Sequence, residues 1–499
     1  TTTPEEDEEA LKNRWMHLDE ASDGRFAGVR ADRAHAELLA GKTPARTVLV
    51  AVIDSGIDIE HEDLAPSIWV NADEVDGNGL DDDANGFVDD RHGWNFIGGA
   101  DGEPITFDTF EVTREFARLN PVYGEIDTDT LSGDEADTYV YFQEISKAFK
   151  AKREEMAGML ETYDSALTLL NGAYELIGDE LGKEDFTLEE AVMLRSDKEN
   201  VERAQSVLMY FDSIGIGRTQ LADERDKAYG WVTKGLNPEF DPRGTVGDDA
   251  NNLTETGYGN ALVEGPDATH GTHVAGIIAA KRGNGSGMDG IADAAQIMVL
   301  RAVPNGDERD KDIANAIRYA VDNGAHIINM SFGKDFSPNK ALVDDAARYA
   351  EAQGVLMVHA AGNDAENNDM VTNYPSPTLM EEDREVTTWL EVGASNWESR
   401  TALAAPFSNY GEQTVDIFAP GVDIYSTVPD NGYEALNGTS MAAPVVSGVA
   451  ALIMAHYPTL TAAEVKQVIV ESARSYAGQQ VLLPGSTDET YVDFGTLSR

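Results

Sequence analysis

TVLVAVIDSG (residues 47–56) is an uninterrupted apolar, largely β-branched run that ends in an acid and a Gly-bearing turn. That is the pattern of a strand buried on both faces of a parallel sheet. Runs of the same kind recur at AQIMVL (295–300), AHIINMSFG (325–333), GVLMVHAAGN (354–363), TWLEVGAS (388–395) and VDIFAPG (415–421), and helices fit at 270–281, 311–323, 339–353, 441–456 and 461–473. Strand, helix, strand with short connections implies right-handed crossovers and a three-layer α/β fold, its mostly parallel sheet covered on both faces. Such sheets carry their chemistry at the carboxyl ends of the strands. Asp54 stands at one such end and Asn363 at another.

The chain divides into four sections on this reading: a polar lead (1–46), a first part of the α/β domain with an acidic loop (47–105), a helical insertion (106–235) and the main part of the α/β domain (236–499). In the insertion, Phe142, Ile145, Phe149, Met156, Leu160, Tyr163, Leu167, Leu170, Tyr174 and Ile177 are spaced as a heptad seam on one long helix. Leu194, Val201, Ala204, Leu208 and Phe211 repeat the spacing after a break at 178–186, so an antiparallel helical hairpin subdomain is expected.

Composition limits the partners. With 37 Lys+Arg against 90 Asp+Glu the formal charge is −53, which excludes an extended nucleic-acid surface and favours cations. The acids are spread along the whole chain and only 14 of the 37 basic residues are Lys, which suggests adaptation to high salt, where ions screen the self-repulsion. No stretch reads as the roughly 18 uncharged apolar residues of a membrane span. Cysteine is absent, removing disulfides and thiolate chemistry together. No secretory signal is visible at TTTPEEDEEA.

The sharpest chemical signal is NGTSMAAPVVSGVAALIMAHYP (437–458), which sets Ser440 just before a small-residue helix whose unpaired N–H groups face a developing anion. Alone, Ser440 reads as a helix cap, since Ser is a preferred capping residue. HGTHVAGIIAAKRGNG (270–285) adds His270 at another helix start, with glycines that allow close backbone approach, and Asp54 ends a buried strand. An acid, a base and a nucleophile are thus available. His273, His326 and His359 read as core or surface imidazoles, since no HExxH pairing exists.

Four blocks, VIDSGIDIEHEDL (52–64), HGTHVAGIIAA (270–280), AAGND (360–364) and NGTSMAAP (437–444), resemble the signature blocks of the subtilisin-like serine proteases, over residues 47–65 and about 266–475. The resemblance implies a subtilisin-like fold and a serine endopeptidase acting on protein or peptide substrates through an acyl-enzyme. It gives Ser440 the place of the nucleophile, His270 that of the general base, Asp54 that of the orienting carboxylate and Asn363 that of the oxyanion donor. Ser331, Phe332 and Gly333 are similar to one wall of the substrate pocket, and Ala360, Ala361 and Gly362 to the other, with the base in the divergent segment 365–380. It also implies a secreted or cell-envelope setting and no organic cofactor. The alternative is a catalytically silent scaffold of the same family that binds peptides or proteins. Asp54 and His270 lie 216 positions apart, and the insertion between them is expected to border the cleft as a lid, an exosite or an arm for a protein partner.

The acidic stretch NADEVDGNGLDDDANGFVDD (71–90) contains Asp81-x-Asp83-x-Asn85-Gly86-Phe87, the first half of an EF-hand-type calcium loop. Position twelve would be His92, not a bidentate Glu, so a true EF-hand is excluded. A structural Ca2+ site is expected here, with Asp76, Asn78, Asp89 and Asp90 as further oxygen ligands. By the resemblance, Asp63 is similar to a calcium ligand that follows the triad acid.

Overall fold

The computed structural model describes residues 4–19, 26–75, 77–128, 131–397 and 400–499. Its strands are β1 (Val48–Asp54), β2 (Gly93–Asn95), β3 (Ala295–Arg301), β4 (Ile327–Met330), β5 (Leu356–Ala360), β6 (Thr378–Leu379), β7 (Arg384–Glu385), β8 (Trp389–Ser395), β9 (Ile417–Pro420), β10 (Ile424–Val428), β11 (Gly432–Leu436), β12 (Gln480–Leu482) and β13 (Tyr491–Asp493). Seven of them form one sheet in the order β2-β3-β1-β4-β5-β8-β9, parallel throughout, and the rest pair as three short antiparallel hairpins. All seven residues of β1 are buried, as an apolar run without alternation requires when helices cover both faces.

Helices α1 (Pro4–Lys12) and α2 (Ala31–Arg33) precede the sheet. A second compact unit, Phe107–Asp241, is helical, with α3 (Glu111–Tyr123), α4 (Asp134–Leu181), α5 (Leu188–Met193), α6 (Glu199–Ser213) and α7 (Arg218–Gly230). The sheet unit, Thr1–Thr106 with Pro242–Arg499, continues through α8 (Arg243–Val246), α9 (Thr269–Ala279), α10 (Asp310–Asp322), α11 (Lys340–Ala352), α12 (Thr439–His456) and α13 (Ala462–Ser472).

The expected strands and helices of the sheet unit fall within three residues of the observed bounds, because each is a buried run or an amphipathic stretch punctuated by Gly, Asn or Asp. On one face α9 and α12 pack on the sheet around Val274, Ile277, Ile278, Val445 and Val446; on the other, α10 and α11 do so around Ile313, Ile317, Val343 and Ala347. The short strand β2 and the hairpin β10–β11 were not expected. Three residues, or strands with exposed polar positions, carry too little apolar pattern to stand out.

One correction concerns the membrane criterion. Helix α12, 18 residues long, is apolar enough to cross a bilayer by composition, but 78% of that stretch is buried against the strands. Its small residues serve close packing inside the unit.

Helix α4 runs for 48 residues, about 72 Å at 1.5 Å per residue. It buries Phe142, Ile145, Phe149, Met156, Leu170 and Ile177 from the expected seam. α6 returns along it with Val201, Ala204, Leu208 and Phe211 buried, which is the expected hairpin. α3 adds Phe116, stacked on Phe149 at 4.4 Å, and α7 adds Leu221, so the helical unit has a core of its own.

Candidate active site

Asp54 closes β1 and is 2% exposed. Oδ1 accepts two hydrogen bonds, from the Ser55 N–H at 2.7 Å and from His270 Nδ1 at 2.7 Å, while Oδ2 is buried with no hydrogen-bond partner. His270 is the second residue of α9. Gly271 lets that helix start come so close: a Cβ there would lie 2.1 Å from the Gly56 carbonyl and 3.2 Å from Asp54 Cβ. With Nδ1–H committed to Asp54, a neutral ring carries its lone pair on Nε2, the state a general base needs. Behind the turn the buried Arg301 donates to the Ser55 carbonyl at 2.8 Å and to Asn95 Oδ1 at 3.1 Å; burial lowers its pKa to about 10. His273, one turn from His270, is held neutral by burial, its pKa lowered to about 4.

Ser440 is the second residue of α12. Its Oγ donates to the Ser331 carbonyl at 3.2 Å, and Ser331 Oγ donates back to the Ser440 carbonyl at 2.9 Å, tying the helix start to the end of β4. Asn329 Nδ2 donates to Ser331 Oγ at 3.0 Å, and Ser447 Oγ, two turns along α12, donates to Asn329 Oδ1 at 2.8 Å. This buried relay, absent from the sequence reading, uses neutral polar residues that look ordinary in sequence.

Asn363 follows β5. Its Oδ1 accepts from the Thr439 N–H at 2.8 Å and from Thr439 Oγ at 3.0 Å. A main-chain N–H can only donate, so the oxygen must face Thr439 and the Nδ2 donor must face the other way. Thr439 Oγ in turn accepts from the Gly362 N–H at 3.2 Å. The position that a Cβ on Gly438 would take lies 3.5 Å from Ser440 N and 3.7 Å from Asn363 Nδ2. Two donors, one from the start of α12 and one from the segment after β5, therefore converge beside the serine, the arrangement that stabilises a developing oxyanion.

Of the expected pocket residues, Ser331, Ala360 and Ala361 are buried, Phe332 and Gly362 are half-buried and Gly333 is exposed. Asn373, from the divergent segment, joins the two walls: its Nδ2 donates to the Ala360 and Ala361 carbonyls at 3.2 and 3.1 Å, and its Oδ1 lies 2.3 Å from where a Gly333 Cβ would be. Only glycine fits opposite it. The main chains of Lys334 and Tyr374 exchange hydrogen bonds at 3.0 and 2.9 Å, fixing that base.

The acidic loop brings part of its expected set together. Carboxylate oxygens of Glu74, Asp83 and Asp90 lie within 4.8 Å of one another. Asn85 Nδ2 donates to Asp83 and Asp90 at 3.1 and 2.9 Å, and Phe87 anchors the loop edge-on to Tyr319 and Trp94. Burial, with the neighbouring Asp83 charge, pushes the Asp90 carboxyl up despite hydrogen bonds from Tyr319, Asn85 and Asn71. Glu74 was missed in the sequence because it stands outside the DxDxNG spacing; its Oε1 caps the Asp82 and Asp83 N–H groups, while Oε2 is buried without a partner. Asp81 and Asp89 serve as turn acceptors for main-chain N–H groups, and Asn78 caps Leu80 N. Asp76 lies outside the described residues. Asp63 sits elsewhere, fully buried, accepting from Asn284, from Tyr433 OH at 3.0 Å and from Met288 N at 3.4 Å.

The "Thermophilic serine proteinase" of Bacillus sp. (strain AK1) is 40% identical to this chain over 210 residues, covering 42% of this chain and 48% of its own length. The "Cell wall-associated protease" of Bacillus subtilis (strain 168) is 36% identical over 230 residues, 46% of this chain and 24% of that protein. Subtilisin DY of Bacillus licheniformis is 37% identical over 206 residues, 41% of this chain and 70% of the relative. The chain thus spans about half or less of the first two relatives. The Subtilase family profile matches residues 45–485, most of the chain and across the helical unit, and the chain belongs to that family.

Proposed function

We propose that this chain is a serine endopeptidase that cleaves protein and peptide substrates through an acyl-enzyme at Ser440. The observation that carries the reading is the convergence of Ser440 N and Asn363 Nδ2 beside the serine, together with an imidazole at His270 held in one tautomer by Asp54. In the proposed reaction His270 Nε2 takes the Ser440 Oγ proton as Oγ attacks the scissile carbonyl carbon. The carbonyl oxygen becomes an oxyanion held by the two donors, and the imidazolium is stabilised by Asp54. The proton then passes to the leaving amine, and water repeats the steps to release the acid. A serine-reactive phosphonate should label Ser440, and Ser440→Ala should abolish casein hydrolysis without loss of fold. Hydrolysis surviving in a clean Ser440→Ala preparation sinks this mechanism, and an unlabelled wild type would leave a silent peptide-binding scaffold as the reading.

Structural calcium is proposed for the loop. The buried Glu74 Oε2, without a hydrogen-bond partner, stands with Asp83 and Asp90 as a set of carboxylate oxygens, and hard cations take such donors. These three residues would hold the ion, which would cross-link the loop. The charge of −53 supports a salt-rich working environment, and the likeness to a cell wall-associated protease supports a secreted or cell-envelope setting. The helical unit, with its own apolar core, is proposed as an accessory arm that selects among protein substrates or partners.

A further inference from the structure

His359, on β5, is fully buried, and both of its ring nitrogens face acceptors. Nδ1 is 2.9 and 3.1 Å from the two carboxylate oxygens of Glu391, its register partner on β8. Nε2 is 2.8 Å from the main-chain carbonyl of Phe332. A carbonyl oxygen cannot donate, and a neutral imidazole offers one N–H only. The Trp389 indole N–H already donates to Glu391 Oε2 at 2.8 Å, as it would to a carboxylate. Asp416, which accepts the Glu391 main-chain N–H at 2.9 Å, is itself paired with Lys466 at 3.0 Å. The Phe332 ring meets the imidazole edge-on at 6.3 Å and the Trp389 ring tilts against it at 5.4 Å, so the imidazole is fixed between them.

We propose that His359 is a doubly protonated clamp, its charge balanced by Glu391, whose Nε2–H pins the Phe332 carbonyl and so positions the Ser331–Gly333 wall of the substrate pocket. It is a positioning residue and touches neither Ser440 nor the oxyanion donors. The inference rests on the peptidase reading for the pocket, but the protonation state does not. The Phe332 carbonyl meets His359 on β5, whereas the preceding Ser331 carbonyl accepts from Ser440 Oγ at 3.2 Å. Losing the bond from His359 loosens the wall at Phe332 and Gly333, while Ser331 stays tied to Ser440 by its own two hydrogen bonds.

Two measurements test this. Histidine-selective 15N labelling at neutral pH should show one slowly exchanging ring with a proton on each nitrogen, and that signal should vanish in His359→Gln. A bare ring nitrogen in the wild type would overturn the clamp. In kinetics, His359→Leu should raise KM about tenfold for peptides with a large apolar residue before the scissile bond, leaving kcat within about twofold, and should affect peptides with glycine there much less. His359→Gln, which keeps a donor near the Nε2 position, should recover most of the KM. Equal KM effects in Leu and Gln variants, or none in either, would refute the positioning role. If His359→Leu fails to fold, the Gln variant and the wild-type spectrum still decide. Absence of peptidase activity and of phosphonate labelling would remove the pocket reading, and with it the positioning role, while the spectrum still judges the ion pair.

Discussion

Replacing Asn363 separates two jobs that one side chain performs. Its Oδ1 satisfies the N–H and hydroxyl of the buried Thr439, and its Nδ2 is left to donate toward the serine. Asn363→Ala removes both. The lost oxyanion donor should cost about 2.7–4 kcal/mol in the transition state, a figure known for a subtilisin, hence roughly 10²–10³ in kcat. The stranded Thr439 N–H should cost about 1–3 kcal/mol of stability. Asn363→Asp keeps both bonds to Thr439, so stability should stay near wild type. It replaces the donor with a negative oxygen, adding a repulsion against the oxyanion of about 1 to 4 kcal/mol at a separation of about 4 Å. Activity should therefore fall in the order wild type, Ala, Asp, while stability falls in the order wild type and Asp together, then Ala. Steady-state kinetics on a chromogenic peptide and thermal melting read the two orders. An Asp variant within tenfold of wild-type kcat, or an effect confined to KM, would refute the assignment of Nδ2 as the donor.

Calcium at fixed ionic strength should raise Tm and a chelator should lower it, and Glu74→Gln should remove most of that response; Tm indifferent to calcium would make the loop a solvated acidic surface. Molar salt should stabilise further, and a flat salt response would count against the high-salt reading. His273 is lowered to about 4 by burial from an ordinary value of 6.5, so the unfolded chain binds its proton first as pH falls. This group's contribution is full above about pH 6.5 and is lost toward pH 4, worth on the order of 3 kcal/mol. His273→Gln should flatten the stability–pH curve relative to wild type over that window, and parallel curves would reject the shift. Replacing 107–241 by a short flexible linker should leave hydrolysis of small peptides while changing cleavage of folded proteins; loss of folding would contradict independent packing of the helical unit.

Sequence alone determined the sheet unit, because buried parallel strands are continuous apolar runs and their helices are amphipathic or small-residue stretches. It also set Asp54, His270, Asn363 and Ser440 at strand ends and helix starts, since such residues sit in short, distinctive blocks. The heptad seam of α4 was legible for the same reason, a fixed period over many turns. Tertiary structure alone decided what joins residues far apart in the chain. Glu74 beside Asp83 and Asp90, Asn373 across the pocket, Asn329 and Ser447 behind Ser331, and the His359–Glu391 pair each bring in a residue that is unremarkable in its local sequence. Strand register and helix packing bring them within bonding distance, and once water is excluded a buried polar atom must find a partner. That requirement acts on neighbours in space, so no local pattern encodes it.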